Sequence, residues 1–395
     1  MSESFIPYGK QDISQQDIDA VVATLTSDFL TQGPKIPAFE QRIAAICDAK
    51  YACAVSSATA ALHIACLGAG LTQGDILWTS PVTFVASANV GLYCGASVDF
   101  VDIDEQTGLM CPNKLEEKLE QAKVANRLPK VIIPVHLCGQ SCDMETIHKL
   151  CKPYDITIIE DASHAIGAKY QGQPVGNCRY SDISVFSFHP VKIITTAEGG
   201  IATTNNQQLA DKMARLRTHG ITRDTELYDK QIFEQLEHGP WYYQQVELGY
   251  NYRITDLQAA LGLSQCDKLD GIIKKRHQLV DRYNQLISES PLQSAITTLA
   301  QLPDNYSAYH LYVIQTDNNK LNRRVVFEHL RKHNIGVNVH YIPVHLQPFY
   351  QQLGFKSGDF AASENYYNRA ITLPLFPQMT EQQQNFVLHC IEELL

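Results

Sequence analysis

The chain has 395 residues, of which 45% are hydrophobic and 19% charged, and its formal net charge is −10. A chain of this length can bury a large core and usually forms two domains. The acidic balance argues against nucleic acid or an anionic membrane as a partner. No run approaches the roughly 18 apolar residues that a membrane-spanning helix needs, so we expect no membrane association.

The cysteines and the start of the chain favour a cytoplasmic location. The 11 cysteines are odd in number and lie mainly in apolar segments, which suits a reducing compartment better than a disulfide framework. The polar start Met1-Ser2-Glu3-Ser4 predicts that no signal peptide is present. Cys138 and Cys142 lie near His136 and His148, but no second ligand pair at zinc spacing appears, so we expect no metal.

Apolar runs typical of strands alternate with helical stretches through the first half of the chain. The predicted strands cover residues 52–55, 76–79, 97–101, 131–136, 156–160, 183–188 and 200–203. This alternation predicts an α/β fold with a mainly parallel sheet that is covered by helices on both faces.

A smaller α+β unit is predicted to follow. The stretch from Ile254 to Ile287 predicts a long helix, with Thr255 as a possible cap. The later elements are predicted strands at 309–314 and 336–339, a helix at 325–332, and a capping box at Thr380 to Gln383 that opens the last helix. We therefore expect a large α/β domain over residues 1–270 and a smaller C-terminal α+β domain over residues 271–395.

The turn Ser56-Ser57-Ala58-Thr59 lies between the first strand and an apolar helix from Ala58 to Leu67. A helix N-terminus with small residues presents free N–H groups to an anion. Ordinary capping by Ser or Thr is the common alternative. The glycines from Gly68 to Gly74 resemble a dinucleotide fingerprint, but they follow a helix and precede a strand. They therefore indicate a helix end and a turn, and a nicotinamide enzyme is not expected.

Asp161 ends the apolar run of the fifth strand. It could be a helix cap or a turn residue, but ligands of open α/β sheets bind outside the carboxyl ends of the strands. An anion there can keep a pyridine nitrogen protonated, which makes the ring an electron sink. His164 could stack on such a ring or hydrogen-bond its oxygen; the alternative is a structural histidine.

Lys192 follows the buried strand Ser184 to Phe188 after a turn that Pro190 stiffens. A lone lysine is usually a solvated surface charge. A lysine that is desolvated at a strand end can instead lose its proton and act as a nucleophile. Lys192 as an amine for a Schiff base, Asp161 as a carboxylate for a pyridine nitrogen, and Ser187 as a hydroxyl for a phosphate are together the contacts that pyridoxal phosphate (PLP) needs.

At this point the sequence resembles the sugar aminotransferases of the DegT/DnrJ/EryC1/StrS family, which are fold-type I PLP enzymes. The resemblance runs through nearly the whole chain. The matching segments are Ile6 to Gly9, Ser27 to Pro34, Ser56 to Leu62, Ser80 to Phe84, Asp161 to Lys192, Leu248 to Arg253 and His340 to His345.

The resemblance implies roles for individual residues. Lys192 would carry the cofactor (PLP, or its amine form PMP), with Asp161 and His164 as further catalytic residues. The cofactor phosphate would lie at Ala58 and Thr59, with Ser187 adding its hydroxyl. Many family members have Gly at the position of Ala58, but a backbone N–H donor survives that change. Phe84 would stack on the pyridine face, although an aromatic there could also be a core residue, and Asn251 would reach the partner's phosphate in a homodimer with shared sites.

The resemblance also implies a substrate. The chain start and the Phe-His-Pro-Val-Lys stretch are most similar to the branch that works in pseudaminic acid synthesis. That branch aminates C4 of a UDP-linked 4-keto-6-deoxy-N-acetyl-L-hexosamine, and glutamate is the expected donor. Because the substrate is anionic, we expect local positive charge from Arg253, His340 and Lys192. The implied substrate contacts are Tyr8, Asp28, Phe29, Leu30, Thr31, Arg253, His340, Tyr341, Ile342 and Pro343.

Three alternatives stay open at the level of sequence. The enzyme could act on another nucleotide-linked keto-sugar, such as a D-gluco or a dTDP-linked one. It could be a PLP sugar dehydratase, although those relatives place His where this chain has Lys192. It could also be a non-catalytic sugar-nucleotide binding protein, which would be expected to have lost Lys192 or Asp161.

Overall fold

The seven predicted strands all form, and they belong to one sheet. The computed structural model describes residues 5–234 and 238–395; the polar opening Met1 to Ser4, on which the prediction of no signal peptide rests, lies outside the described residues. In chain order the strands are β1 (Tyr51–Val55), β2 (Ile76–Thr79), β3 (Ser97–Phe100), β4 (Val131–Ile133), β5 (Thr157–Asp161), β6 (Lys169–Tyr170), β7 (Gln173–Pro174), β8 (Ile183–Ser187), β9 (Gly200–Thr204), β10 (Ile221–Thr222), β11 (Gln244–Gln245), β12 (Ile296–Thr298), β13 (Asn305–Tyr306), β14 (Tyr312–Thr316) and β15 (Ala370–Leu373).

Helices connect most of these strands. The α-helices are α1 (Gln15–Leu25), α2 (Lys35–Cys47), α3 (Ala58–Gly68), α4 (Ala86–Tyr93), α5 (Pro112–Val124), α6 (Met144–Cys151), α7 (Gln207–Arg217), α8 (Lys230–Glu234), α9 (Asp256–Cys266), α10 (Leu269–Ser288), α11 (Arg323–Lys332), α12 (Pro348–Gln352), α13 (Ala361–Arg369) and α14 (Glu381–Glu392). Short 3-10 turns lie at Leu137–Gly139, Lys152–Tyr154, Thr225–Leu227, Pro291–Ser294 and Val344–Leu346. The cap at Thr255 and the capping box predicted at Thr380 both form; each is a capping box, and they open α9 and α14.

The large sheet has seven strands in the order β1-β9-β8-β5-β4-β2-β3. The pairs among β8, β5, β4, β2 and β3 are parallel, whereas β9 runs antiparallel to both of its neighbours. The prediction of a mainly parallel sheet is therefore confirmed. Because β1 and β8 point the same way on either side of β9, their carboxyl ends lie at the edge of the sheet where β9 begins.

Both faces of this sheet are covered, as its apolar strands require. Alternate residues of β1 show this directly. Cys53 and Val55 pack in a cluster with the apolar side chains of α3 and α4, whereas Ala54 between them packs with α2 and α9 on the other face.

A separate hydrophobic cluster lies in the C-terminal part of the chain. It joins α10, α11 and α14 to the three-stranded sheet β12-β14-β15. Ile6 from the chain start also packs there, and its backbone pairs with Ile335. α10 contributes to both clusters, with Ile272 and Ile273 on the side of the large sheet and Leu279 in the C-terminal cluster; the predicted boundary at residue 270 stays a prediction.

Three predicted elements differ from the structure. The long helix from Ile254 to Ile287 is interrupted at residues 267–268, where Lys268 turns towards the chain start to bond Asp17. The strand predicted from Tyr309 begins at Tyr312, because Tyr309 has a left-handed backbone with φ of 46°. The strand predicted at 336–339 is wrong; that segment makes only an isolated bridge from Asn338 to Thr372 of β15.

The N-terminal helices α1 and α2 are held by α9, a helix from far along the chain. The fully buried carboxylate of Asp17 accepts hydrogen bonds from Ser264 Oγ at 2.7 Å, from Gln265 Nε2 at 2.9 Å and from Lys268 Nζ at 2.6 Å. Asp256, at the start of α9, accepts from the backbone N–H groups of Gly33 and Lys35. These buried bonds to charged groups fix the N-terminal segment onto the sheet domain.

Among the described residues, no helix combines the length and the apolar character needed to cross a membrane.

Candidate active site

The ends of six strands meet around one cavity. Residues that follow β1, β2 and β4 line it, as do the last residues of β5 and β8 and the residue before β9. Parallel strands place their carboxyl ends at one edge of a sheet, and ligands of open α/β sheets bind there. The cavity has a volume of about 370 Å³, which is within the range of small-molecule sites.

Ten of the predicted site residues line this cavity. They are Tyr8, Ala58, Thr59, Phe84, Asp161, His164, Ser187, Lys192, His340 and Tyr341. They come from segments that are up to 333 residues apart in the sequence, so the fold brings together residues that the sequence analysis selected one by one.

The start of α3 forms one wall of the cavity. Ser57 caps the helix, and its hydroxyl accepts a hydrogen bond from the N–H of Ala60. The N–H groups of Ala58 and Thr59 lie in the first turn, where no helical carbonyl can reach them. Gly200 lies directly against this turn: a Cβ there would be 2.4 Å from the backbone nitrogen of Ala58. The close approach therefore requires glycine and leaves a cradle for an anion.

Lys192 lies in a tight turn between β8 and β9. The turn is closed by the bond from its own N–H to the carbonyl of His189, and Phe188 is tied to Thr196 and Gly199 by backbone bonds. Burial lowers the pKa of the Lys192 amine to about 8, against the opposing effect of the Asp161 carboxylate. A lysine in such a site has much more of the neutral, nucleophilic form than an ordinary lysine.

Asp161 is only 6% exposed, at the end of β5. One of its oxygens accepts from the hydroxyl of Ser87 at 2.6 Å, and the other accepts from the N–H of Ser163 at 3.1 Å. The Ser87 hydroxyl is 2.8 Å from that of Thr83. These bonds fix the orientation of the carboxylate at the floor of the cavity.

His164 is buried and has a defined tautomer. Its Nδ1 accepts from the backbone N–H of Cys138 at 3.3 Å, so Nε2 carries the proton and lies 3.2 Å from the hydroxyl of Tyr341. Burial, with Lys192 and His340 nearby, holds the pKa of His164 well below its usual range. His164 is therefore a neutral hydrogen-bond donor rather than a cation.

His340 contradicts one expectation. Burial and the proximity of Lys192 lower its pKa to about 3, and its Nδ1 is 2.8 Å from the hydroxyl of Thr372. The imidazole is neutral near pH 7, so it cannot provide the positive charge that we expected from it for an anionic substrate. It remains positioned as an uncharged polar group on the cavity wall.

Eight predicted residues do not line the cavity of this chain: Asp28, Phe29, Leu30, Thr31, Asn251, Arg253, Ile342 and Pro343. The segment Asp28 to Thr31 is exposed. Asn251 is exposed and pairs through its backbone with Thr218, while Arg253 pairs with Val55 at the end of β1. Their predicted roles in substrate or phosphate binding stay predictions.

Some residues in or behind the cavity were not anticipated. His310 and Asn338 line it from the C-terminal unit, and Ser87 of α4 supports Asp161 from behind the lining. His310 is 4% exposed, and its Nδ1 has no hydrogen-bond partner among the described residues. The available signals were weak: a serine in an apolar helix, and a histidine inside a predicted strand.

These residues fit PLP. The chain offers a half-buried lysine with a pKa lowered to about 8, a buried carboxylate that two donors hold in place, and a helix start packed closely against Gly200 for a phosphate. Phe84 is 59% exposed at the cavity mouth, with its ring 6.3 Å from that of Tyr341. An aromatic in that position can cover one face of a planar ring.

Comparisons with known proteins agree with this interpretation. The model of the DegT/DnrJ/EryC1/StrS aminotransferase family matches residues 11–392. The chain is 38% identical to the spore coat polysaccharide biosynthesis protein SpsC of Bacillus subtilis, over 99% of this chain and 97% of that protein. It is 36% identical to the UDP-4-amino-4,6-dideoxy-N-acetyl-beta-L-altrosamine transaminase of Campylobacter jejuni, also over 99% and 97%.

Solved structures show the same similarity. PseC of Helicobacter pylori, an aminotransferase of pseudaminic acid biosynthesis, superposes with a TM-score of 0.87 at 30% identity, with 99% of each chain covered. The PLP form of the putative sugar aminotransferase Spr1654 of Streptococcus pneumoniae superposes with a TM-score of 0.86 at 29% identity, covering 99% of this chain and all of that one. The chain therefore belongs to the DegT/DnrJ/EryC1/StrS family and is a PLP-dependent sugar aminotransferase.

Proposed function

We propose that this enzyme transfers an amino group to C4 of a UDP-linked 4-keto-6-deoxy-N-acetyl-L-hexosamine, with glutamate as donor, in the synthesis of pseudaminic acid. The observation that carries the proposal is the full-length similarity to the altrosamine transaminase of Campylobacter jejuni and to PseC of Helicobacter pylori. We further propose a cytoplasmic enzyme, because a nucleotide sugar and glutamate are both cytoplasmic metabolites.

The roles of the chain's own residues follow from their positions. PLP supplies a conjugated ring that accepts an electron pair from the carbon next to the amine. The N–H groups of Ala58 and Thr59 and the hydroxyl of Ser187 would bind its phosphate. Asp161 would accept a hydrogen bond from the ring nitrogen and keep that nitrogen protonated. His164 Nε2–H would donate to the ring oxygen.

Lys192 would have two tasks. Its amine would hold the cofactor covalently between cycles. Once released, Nζ would move a proton between Cα of the amino donor and C4′ of the cofactor. A pKa near 8 suits this task, because a group that both takes and returns a proton works best when its pKa is close to the working pH.

We propose a homodimer with shared sites. Asn251 is exposed in an aromatic-rich loop and does not reach the cavity of its own chain, so a partner's cavity is the available target. Phe29 and Leu30 are exposed apolar residues in a second predicted substrate segment. Such residues suit an interface between copies.

A second candidate substrate is another nucleotide-linked keto-sugar. The similarity to SpsC, which is named for spore coat polysaccharide synthesis, is at least as high as that to the altrosamine transaminase. A sugar dehydratase is disfavoured, because Lys192 is present where those relatives carry His.

The test is a substrate panel with purified enzyme and glutamate. It contains UDP-4-keto-6-deoxy-N-acetyl-L-hexosamine, its D-gluco epimer, and a dTDP-linked 4-keto sugar, with the position of the new amino group assigned by NMR. We expect the L-hexosamine to be strongly preferred over its D-gluco epimer, because a mispaired hydroxyl leaves buried polar groups without partners. Lys192→Ala serves as the inactive control. Equal turnover of the D-gluco epimer, or preference for the dTDP-linked sugar, would favour the second candidate.

A further inference from the structure

Two helices of the C-terminal unit bring three histidines and a carboxylate together, away from the PLP cavity. His329 and His333 are one turn apart on α11, with His333 at its C-terminal cap. His389 and Glu393 are one turn apart at the end of α14. None of these four residues lines the cavity described above. The pattern of two histidines spaced i, i+4 places both rings on one helix face.

The ligand atoms already converge. His329 Nε2 lies 3.2 Å from one carboxylate oxygen of Glu393, and His389 Nε2 lies 3.6 Å from the other. One ligand atom each from His329, His333 and Glu393 lie within 4.8 Å of one another. Zinc bonds of about 2.0–2.1 Å in tetrahedral geometry separate neighbouring ligand atoms by about 3.3 Å. The pair of His329 and Glu393 is already at that spacing, and a ring nitrogen of His333 lies within 4.8 Å of their ligand atoms.

His333 has one ring nitrogen hydrogen-bonded to a backbone carbonyl, as metal-bound histidines commonly do. Its Nδ1 donates to the backbone carbonyl of His329 at 2.9 Å. This bond fixes the tautomer and leaves Nε2 as a lone-pair donor, the arrangement that backbone carbonyls provide around metal sites. Within residues 5–234 and 238–395, no protein group hydrogen-bonds His333 Nε2.

Ion pairing alone explains only part of the cluster. The hydrogen bond from His329 to Glu393 and the ion-pair contact of His389 with Glu393 account for those three side chains. They do not account for His333, whose ring centre lies 4.3 Å from that of His329. A divalent ion between the rings would give both Nε2 atoms and the carboxylate a common partner.

We propose that His329, His333 and Glu393 bind one zinc ion, with His389 or a water molecule as the fourth ligand. Two imidazoles and one carboxylate suit zinc rather than magnesium or calcium, which prefer oxygen ligands. The ion joins α11 to α14, and so it stabilises the C-terminal unit without taking part in transamination. This site lies far in the sequence from the cysteine and histidine residues around positions 136–148, on which the expectation of no metal rested.

The experiment uses untagged, PLP-loaded enzyme that has been dialysed against a chelator. Zinc is titrated by calorimetry, and the melting temperature is measured with and without zinc. Cobalt is then substituted, because its visible spectrum distinguishes tetrahedral nitrogen and oxygen ligands from an octahedral site. The test variants are His333→Gln, Glu393→Gln and the double variant His329→Gln with His333→Gln. The matched control is His148→Gln, which removes another half-buried helical histidine whose Nδ1 lies near a backbone carbonyl.

We expect one zinc per chain, a tetrahedral cobalt spectrum and a rise in melting temperature for wild type and for the His148 control. The double variant should lose zinc binding, the tetrahedral cobalt spectrum and the rise in melting temperature. The variants His333→Gln and Glu393→Gln should each weaken zinc binding by about 10- to 100-fold or more. Turnover without zinc should be the same in wild type and variants. Absence of zinc binding, or binding that the double variant retains, would overturn the proposal. A melting temperature that the variants lower equally with and without zinc would identify the cluster as an ion pair only.

Discussion

The rate at which cofactor-free enzyme captures PLP should rise with pH around a midpoint near 8. The neutral amine of Lys192 is the nucleophile, and burial lowers its pKa to about 8. The amine is mostly protonated and unreactive below that pH and mostly neutral above it. The rate therefore falls on acidification and reaches a plateau on the alkaline side.

The size of the effect follows from the two pKa values. At pH 7, an amine with a pKa of about 8 is roughly 9% neutral, whereas an ordinary lysine with a pKa of about 10.4 is about 0.04% neutral. The buried site therefore increases the reactive fraction about 200-fold. Because the Asp161 carboxylate raises this pKa, Asp161→Asn should move the midpoint to lower pH.

Stopped-flow absorbance of the protein-bound cofactor measures this rate across a pH series. The reaction of PLP with a simple alkylamine in the same buffers corrects for ionisation of the cofactor itself. Asp211→Asn is the control for loss of a carboxylate, since Asp211 is exposed on α7 outside the cavity. A wild-type midpoint near 10, or an upward shift in Asp161→Asn, would refute the assignment of Lys192 as a desolvated amine beside Asp161.

Three further predictions concern the cofactor site and its symmetry. Asp161→Asn should reduce kcat about tenfold or more while cofactor affinity changes little, because the anion that keeps the ring nitrogen protonated is needed in the transition state and hardly at all in the resting state; near-normal turnover would contradict this role. Gly200→Ala should destabilise the protein by about 1–3 kcal/mol and weaken PLP binding, measured by denaturant unfolding and cofactor titration. Gly271→Ala, in an open helical position, should instead stabilise it by about 0.5–1 kcal/mol, so equal effects of the two changes would refute the crowding argument. Mixing inactive Lys192→Ala and Asn251→Ala proteins under verified subunit exchange should restore up to one working site per hybrid dimer; confirmed hybrids without activity would exclude a shared site.

Much of the sheet and of the cavity was predictable, because both depend on local pattern. Buried parallel strands appear as short apolar runs, so the seven strands were found within a few residues. Residues that follow such strands lie at the ligand edge of the sheet, which is the argument that pointed to Asp161 and Lys192. Ala58 and Phe84 were implied by the family resemblance, and all four residues line the cavity.

The remaining features depend on contacts between distant segments. Ser87 supports Asp161 from 74 residues away, and nothing near it in the sequence indicates that contact. His310 enters the cavity because Tyr309 adopts a left-handed backbone, which shortens the predicted strand. The break between α9 and α10 accompanies the bond from Lys268 to Asp17. Periodicity over a short window contains no information about such partners.

The attachment of α1 and α2 to α9 also sets an order for folding during synthesis. Asp17 and Lys268 are 251 residues apart, and at translation rates of about 5–20 residues per second they emerge from the ribosome roughly 12–50 s apart. Throughout that interval the apolar face of α2, including Phe39 and Ile43, has no α9 to cover it. β1 likewise cannot join the sheet until β9 has been made, because β9 is its only partner there as far as the described residues show. The N-terminal segment thus keeps apolar surface uncovered during synthesis, and the large domain can close only after α9 has been made.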